Sequence, residues 1–203
     1  KNLDDFVNKE NNLKEILVKI NPKLDFISGG SAIHNLLNLE NKERYKIIQG
    51  FGSLKNSYDY MLIDVGAGAE ESSLSFMSAS KKIVVILVGE PTSFIDAYSL
   101  IKTANLNNKL DNFGIFVNMA NTEFQAKSNF DKFQNITTKF LDVKLSFLGC
   151  LFNSQKIKNS ITTRKPIVKD KMNHQEIDCF LNLTRNLNNL KQNNNKGIKF
   201  FED

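Results

Sequence analysis

The stretch that decides the fold reads Tyr58-Asp59-Tyr60-Met61-Leu62-Ile63-Asp64-Val65-Gly66-Ala67-Gly68. An apolar run ends here in a carboxylate and a loop of small residues, which is typical of a buried parallel strand that delivers one acid to a ligand site. Ligands of open α/β sheets bind where such strands end, and glycine lets the backbone approach a ligand closely. We therefore interpret Asp64 as a functional residue; the alternative is that it caps the next helix, together with Glu70 and Glu71.

Composition limits the class of protein. The chain has 203 residues, 41% of them hydrophobic and 24% charged, which suits one large soluble domain. No apolar run reaches the roughly 18 to 20 residues that span a bilayer, and no signal peptide opens the chain, so we expect a cytoplasmic protein. The net charge of +5 mildly favours nucleotides, nucleic acid or anionic lipid as partners.

Cysteine and histidine are too few for several kinds of site. The two cysteines, Cys150 and Cys179, match neither a disulfide framework nor a zinc site, so we expect buried, reduced thiols. The two histidines, His34 and His174, make a histidine-based metal centre improbable.

Strands and helices alternate along the chain. Strand-like runs occupy residues 24–28, 58–65, 83–88, 113–117 and 145–149. Helical spacing is found over residues 3–20, 32–39, 41–55, 74–77, 91–101, 122–140, 157–163 and 174–190, and 166–168 reads as extended. About five alternations predict a three-layer α/β/α domain over residues 1–190, with a mostly parallel sheet covered by helices on both faces. Residues 191–203 are polar and predict a flexible tail.

Polar residues follow three of the predicted strands. They are Asp64, Glu90-Pro91-Thr92-Ser93 and Asn118-Met119-Ala120, and we expect them side by side at the carboxyl edge of the sheet. A carboxylate can hold a hydrated magnesium ion, and an Asn side chain can donate to and accept from a purine edge. Each of these residues taken alone is more often a turn residue than a ligand contact.

Other motifs are absent or ambiguous. No Gly-x-x-x-x-Gly-Lys-Ser/Thr phosphate loop occurs in the 203 residues, and the Gly29-Gly30 turn is best interpreted as a strand-to-helix connection. Cys150 lies within or just beyond an apolar strand, where a reactive thiolate is disfavoured. The basic run over residues 164–171 could touch phosphate or lipid, although a solvated loop is the commoner use of such a run.

These residues resemble the Walker B and switch II stretch of the MinD/ParA class of P-loop ATPases, and most of all its flagellar number and placement branch. The similarity runs from residue 1 to about 190 and rests on several further segments. They are Phe26-Ile27-Ser28-Gly29-Gly30-Ser31, Leu74-Ser75-Phe76, Glu90-Pro91-Thr92-Ser93, Asp96-Ala97-Tyr98-Ser99-Leu100-Ile101-Lys102, Val117-Asn118-Met119 and Leu148-Gly149.

The resemblance implies a P-loop NTPase-like fold that binds ATP and Mg. Asp64 would hold the magnesium ion through water, and Gly66, Ala67 and Gly68 would shape switch II near the γ-phosphate. Asn118 would face the adenine, with the loop Phe152-Asn153-Ser154 against the base from the other side. That loop departs from the family, which usually has a Pro and an acidic residue there.

The largest departure concerns the phosphates. By the resemblance, the phosphate loop with its lysine and the switch I Asp would precede Lys1, so we expect this chain alone to lack ATPase activity and tight ATP binding. A degenerate homologue that has lost hydrolysis is the other explanation.

The resemblance also implies partners. They are a second copy in an ATP-dependent homodimer, a flagellar assembly GTPase of the signal-recognition type, flagellar switch proteins and the inner face of the cell membrane, with nucleic acid unlikely. Gly197-Ile198-Lys199-Phe200-Phe201 is a faint candidate membrane anchor. The apolar stripe Phe180, Leu181, Leu183, Leu187 and Leu190 more often covers a sheet.

Two rival functions stay open. A non-catalytic module could keep the fold and bind a protein through the surface from Glu90 to Tyr98. A ParA-like DNA-partitioning ATPase is compatible with the modest positive charge, and would bind DNA with a steep salt dependence.

Overall fold

A computed structural model of the chain describes residues 1–8, 12–29, 41–66, 68–169, 175–193 and 199–200. They gather in two compact units, Lys1–Lys81 with Asn195–Asp203 and, separately, Lys82–Asn194. The predicted helix over 32–39 and both histidines lie outside the described residues.

The first unit contains short helices and one hairpin. Its elements are α1 (Leu3–Asn8), a 3-10 helix (Leu13–Ile16), β1 (Val18–Asn21), β2 (Leu24–Phe26), α2 (Asn41–Gly50), a 3-10 helix (Phe51–Ser57) and α3 (Glu71–Ala79). The expectation of helix as far as residue 20 is wrong, because β1 pairs with β2 in an antiparallel hairpin. Pro22 disfavours helix at Asn21, and the Asn21 side chain accepts the Lys23 N–H at 2.9 Å, which closes the turn.

The stretch from Tyr58 to Gly66 is not the buried strand that its sequence predicts. It has no regular secondary structure and joins neither sheet of the described residues. Met61 and Ile63 pack against an apolar cluster, whereas Tyr60 and Leu62 on the other face are 71% and 86% exposed. The stretch is therefore covered on one face only. Of its consecutive apolar residues, Met61 and Ile63 are partly buried, whereas Leu62 between them is exposed.

Phe200 belongs to the core of the first unit. It is 4% exposed, its N–H bonds the Ala79 carbonyl at 3.2 Å, and its ring lies 5.5 Å from that of Phe51 in an edge-to-face contact. A buried side chain cannot enter a bilayer, so the suggestion of a membrane anchor at residues 197–201 is wrong for Phe200. Gly197, Ile198 and Phe201 lie outside the described residues.

The second unit alternates strands and helices as predicted. Its elements are β3 (Val84–Val88), α4 (Pro91–Asn108), β4 (Asn112–Ala120), α5 (Glu123–Phe140), β5 (Lys144–Phe152), α6 (Gln155–Thr163), a 3-10 helix (Ile167–Lys169) and α7 (Gln175–Asn189). The three strands form a parallel sheet in the order β3-β4-β5. The extended segment predicted over 166–168 is wrong, because these residues enter the 3-10 turn.

Helices cover both faces of this sheet, which confirms the α/β fold class. On one face, Cys179 of α7 and the following Leu190 pack on Phe116 and Leu148. On the other face, α5 places Phe130 on Phe147 with ring centroids 5.3 Å apart. Residues 112–117 of the central strand β4 are all buried, so the core of this unit lies along β4 between the two helix layers.

Asn193 ties the end of this unit to β4. Its side-chain oxygen accepts the N–H groups of Asp111 and Asn112 at 3.1 and 3.0 Å, and its side-chain NH2 group donates to the Asn112 carbonyl at 2.8 Å. The residue is 2% exposed. The predicted flexible tail over 191–203 is therefore wrong at this position.

Candidate functional site

The carboxyl end of β4 carries an irregularity that directs Asn118. Val117 pairs with Cys150 and Ala120 with Phe152, so two residues of β4 stand opposite one residue of β5. Met119 takes φ 57°, a left-handed conformation that is uncommon without glycine. The Asn118 side-chain oxygen accepts the Met119 N–H at 2.9 Å. Such bulges re-aim side chains at the ends of strands and are enriched beside active sites.

The loop after β5 lies at the same edge as Asn118. The Asn153 N–H donates to the Ala120 carbonyl at 2.9 Å, which fixes Phe152 and Asn153 beside the end of β4. Ser154 then caps α6 by accepting the Lys156 N–H at 3.2 Å. Asn118 and this loop thus lie at one edge of the sheet, and the contact of either with an adenine stays a prediction.

The end of β3 is the third feature of this edge. Val88 pairs with Asn118 in the parallel register, so the turn at residues 89–93 follows directly beside it. Pro91 opens α4, and the Ser93 hydroxyl accepts the Val88 N–H at 3.0 Å, closing the turn. Ser93 thus orders the turn itself. Glu90 and Thr92 are exposed.

Asp64 lies in the first unit, near the end of the stretch from Tyr58 to Gly66, and is exposed. A Cβ added to Gly66 or to Gly68 would meet nothing within 4 Å, and Gly68 has φ +110°, so a ligand could approach this backbone. Helix α3 begins at Glu71, and its N-cap residue is Glu70, whose side chain makes no capping hydrogen bond. Asp64 is therefore not the N-cap residue of α3. Ala67 lies outside the described residues.

One exposed carboxylate fits magnesium better than a transition metal. Mg²⁺ keeps most of its waters and takes one or two carboxylates together with substrate phosphates. Over the ranges that the structure describes, no three His, Cys, Asp or Glu side chains group closely enough to bind an ion by themselves. The Asp64 carboxylate could therefore contact a magnesium ion through water, but together with the other described residues it could not bind a metal ion with protein ligands alone.

The two cysteines are buried and free, as expected. Burial raises the pKa of the Cys150 thiol to about 11, with a smaller contribution from Cys179, whose own pKa burial also raises. At neutral pH both remain thiols, so neither is a nucleophile.

The sequence analysis did not predict the two β-bulges that shape this edge of the sheet. Gly149, at φ +120°, sits where β5 gains one residue against Ile115 and Phe116. A glycine inside a strand signals such a bulge, but the left-handed Met119 has no signal of this kind.

In the part of the chain described here, no helix combines the length and apolarity needed to cross a membrane.

Comparison with known proteins found similar sequences in Pseudomonas aeruginosa and Helicobacter pylori. The antiactivator FleN of Pseudomonas aeruginosa is 25% identical over 165 residues, covering 81% of this chain and 59% of its own length. The flagellum site-determining protein YlxH of Helicobacter pylori is 28% identical over 170 residues, covering 83% of this chain and 57% of its own. The chain thus spans less than three fifths of either relative. No family model matches the sequence.

Solved structures show the same fold at low sequence identity. A plasmid partition protein of Borrelia burgdorferi, bound to AMPPNP, has a TM-score of 0.71 and 16% identity, covering 91% of this chain and 72% of its own. A ParA family ATPase of Chlorobium tepidum has a TM-score of 0.66 and 16% identity, covering 91% and 74%.

Proposed function

The chain is a member of the MinD/ParA family, and from this premise we propose that it is the core of an ATPase that regulates flagellar number or placement. ATP would drive a face-to-face homodimer, and dimerisation would change which partner or membrane surface the protein binds. The name of the relative YlxH, a flagellum site-determining protein, supports the process, and the structural neighbour bound to AMPPNP supports a nucleotide as ligand.

The observation that carries the proposal is the bulge at the end of β4. It places Asn118 beside the loop at Asn153, at a strand end where α/β sheets bind ligands. An Asn amide offers both a donor and an acceptor, as an adenine edge requires. Asn118 would read the base while Phe152 and Asn153 limit the space around it.

Asp64 would help to bind the magnesium ion that accompanies ATP. Its exposed carboxylate would orient a magnesium-bound water, and the open backbone at Gly66 and Gly68 would allow switch II to move with the γ-phosphate. Magnesium, when bound, neutralises charge on the phosphates.

The decisive experiment is calorimetric titration with Mg-ATP. Because the 203 residues contain no phosphate-loop sequence, we expect weak or no binding by this chain and tight binding by a chain extended upstream. Tight binding by the shorter chain would refute our view of the phosphate site. Absence of binding by both would refute the ATPase.

Variants of the extended chain test the individual residues. Asn118→Ala should weaken ATP binding by about tenfold and reduce the preference for adenine over guanine, since at least one base contact is lost. Asn135→Ala, on the exposed side of α5, is the matched control and should bind as the parent does. Asp64→Asn should remove hydrolysis while retaining nucleotide binding. Equal affinity of the two Asn variants would remove Asn118 from the site.

A non-catalytic binding module is the second candidate, because Ile95 on α4 is 64% exposed beside the Glu90 turn. It predicts an extended chain that keeps its fold, does not hydrolyse ATP, and loses a protein partner on Ile95→Ser.

A further inference from the structure

The surface formed by α6 and the 3-10 turn after it is unusual in charge, and we call it the α6 surface. It encloses a shallow groove of about 600 Å³. The groove is lined by Lys156, Asn159, Ser160, Thr163, Arg164, Lys165, Pro166, Ile167 and Lys169.

No acidic residue occurs between positions 153 and 169, whereas five basic ones do. Among the described residues, no carboxylate pairs with Lys158, Arg164, Lys165 or Lys169. The nearest acid of α7, Glu176, is buried and accepts the Ser154 hydroxyl. Asp170 follows in sequence, outside the described residues. The α6 surface is therefore strongly cationic.

Apolar side chains stand among these cations. Ile161 is 72% exposed and Val168 is 58% exposed, and α6 contains no buried residue. Of the two isoleucines of α6, Ile157 packs partly on the core beneath. The other, Ile161, stays exposed to solvent among the basic residues.

The turn after α6 holds the basic residues in place. Arg164 adopts φ 55°, the Lys165 N–H donates to the Ser160 carbonyl at 3.0 Å, and the Ser160 hydroxyl donates to the Lys165 carbonyl at 2.7 Å. Basic residues at a helix C-terminus also offset its dipole. That benefit accounts for Arg164 and Lys165, but for neither Lys158 nor the exposed Ile161.

We propose that the α6 surface docks on an anionic lipid bilayer, with Ile161 and Val168 entering the interface and Lys158, Arg164, Lys165 and Lys169 contacting lipid phosphates. Interfacial binding combines these two contributions, apolar burial and attraction to anionic headgroups. Nucleic acid is the less suitable occupant, because Ile161 and Val168 have no role on a phosphate backbone. This docking surface does not depend on nucleotide hydrolysis.

The test is co-sedimentation of the chain with vesicles of phosphatidylcholine containing roughly one-third phosphatidylglycerol, against pure phosphatidylcholine. We expect binding only to the anionic vesicles, and release at about 0.5 M salt. Each cation near such a surface strengthens binding roughly fivefold, so Lys158→Glu with Lys165→Glu should weaken it by at least about 25-fold. The control pair Lys102→Glu with Lys132→Glu makes the same charge change on exposed sites of α4 and α5.

The apolar contribution has its own control. Ile161→Ser should weaken vesicle binding several-fold, whereas Ile136→Ser, at 53% exposure on α5, should not. Equal loss in both charge pairs, or no effect of Ile161→Ser, would overturn the proposal. So would absence of binding to the anionic vesicles, or tighter binding to duplex DNA than to vesicles. Circular dichroism confirms that each variant is folded before it is compared.

Discussion

Gly114→Ala should destabilise the second unit through a clash with one identifiable neighbour. Gly114 lies in the buried part of β4. A Cβ placed there would lie 2.4 Å from Leu148 Cδ1, 2.9 Å from Leu148 Cγ and 3.0 Å from Leu190 Cδ2. Leu148 is 1% exposed and Leu190 is 5% exposed, so neither side chain has an empty space to enter.

The size of the effect follows from this geometry. Two atoms of one packed side chain would lie under 3.0 Å from the new carbon, so the leucine must change rotamer or the helix layer must shift. Inserting a methyl group into a packed core costs about 1–3 kcal/mol. For a chain of this size, this corresponds to a melting temperature lower by roughly 2–12 °C.

Urea unfolding followed by circular dichroism measures the change in the free energy of unfolding. Gly52→Ala is the control, because a Cβ there would meet nothing within 4 Å, and it should change stability by less than about 0.5 kcal/mol. Leu148→Ala should cost about 2–5 kcal/mol alone. The double variant should cost less than the sum, because the shorter side chain makes room for the new methyl. Strict additivity, or a neutral Gly114→Ala, would show that the predicted contact does not exist.

Three further predictions concern the same unit. Asn193→Ala should lower the free energy of unfolding by roughly 2–4 kcal/mol, because it leaves the buried backbone N–H and carbonyl of Asn112 without partners. The control is Asn189→Ala, at an exposed position, which should leave the urea midpoint unchanged. Gly149→Ala should cost roughly 1–3 kcal/mol by backbone strain at φ +120°, and an unchanged midpoint would contradict the bulge described. The Cys150 thiol has a folded pKa of about 11 against an ordinary 9.0, so the folded state keeps a proton that the unfolded chain releases. The free energy of unfolding should therefore fall as pH rises from about 9 to 11. Alkylation of the Cys150 thiol in the folded protein should stay slow below that pH range, and fast alkylation at neutral pH would show that the thiol is not buried.

The three strands of the second unit can be located from the sequence alone. The runs at 83–88, 113–117 and 145–149 are short and mostly apolar, and they alternate with long helical patterns, so the sequence identifies them without tertiary information. The same reasoning placed Asn118 and the turn after Val88 at one edge, since parallel strands end together. The role of each site residue stays a prediction, as does the place of Asp64 relative to that edge.

Which apolar residues are covered depends on packing between segments that are distant in sequence. Met61 and Leu62 read alike in the sequence, yet Met61 packs on the core while Leu62 is 86% exposed, because coverage depends on what other segments lie against each face. The left-handed conformation of Met119 and the lack of space for a Cβ at Gly114 likewise arise from pairing and packing between distant segments. Local propensity reports what a segment tolerates, whereas its neighbours in space select the conformation and the burial that it adopts.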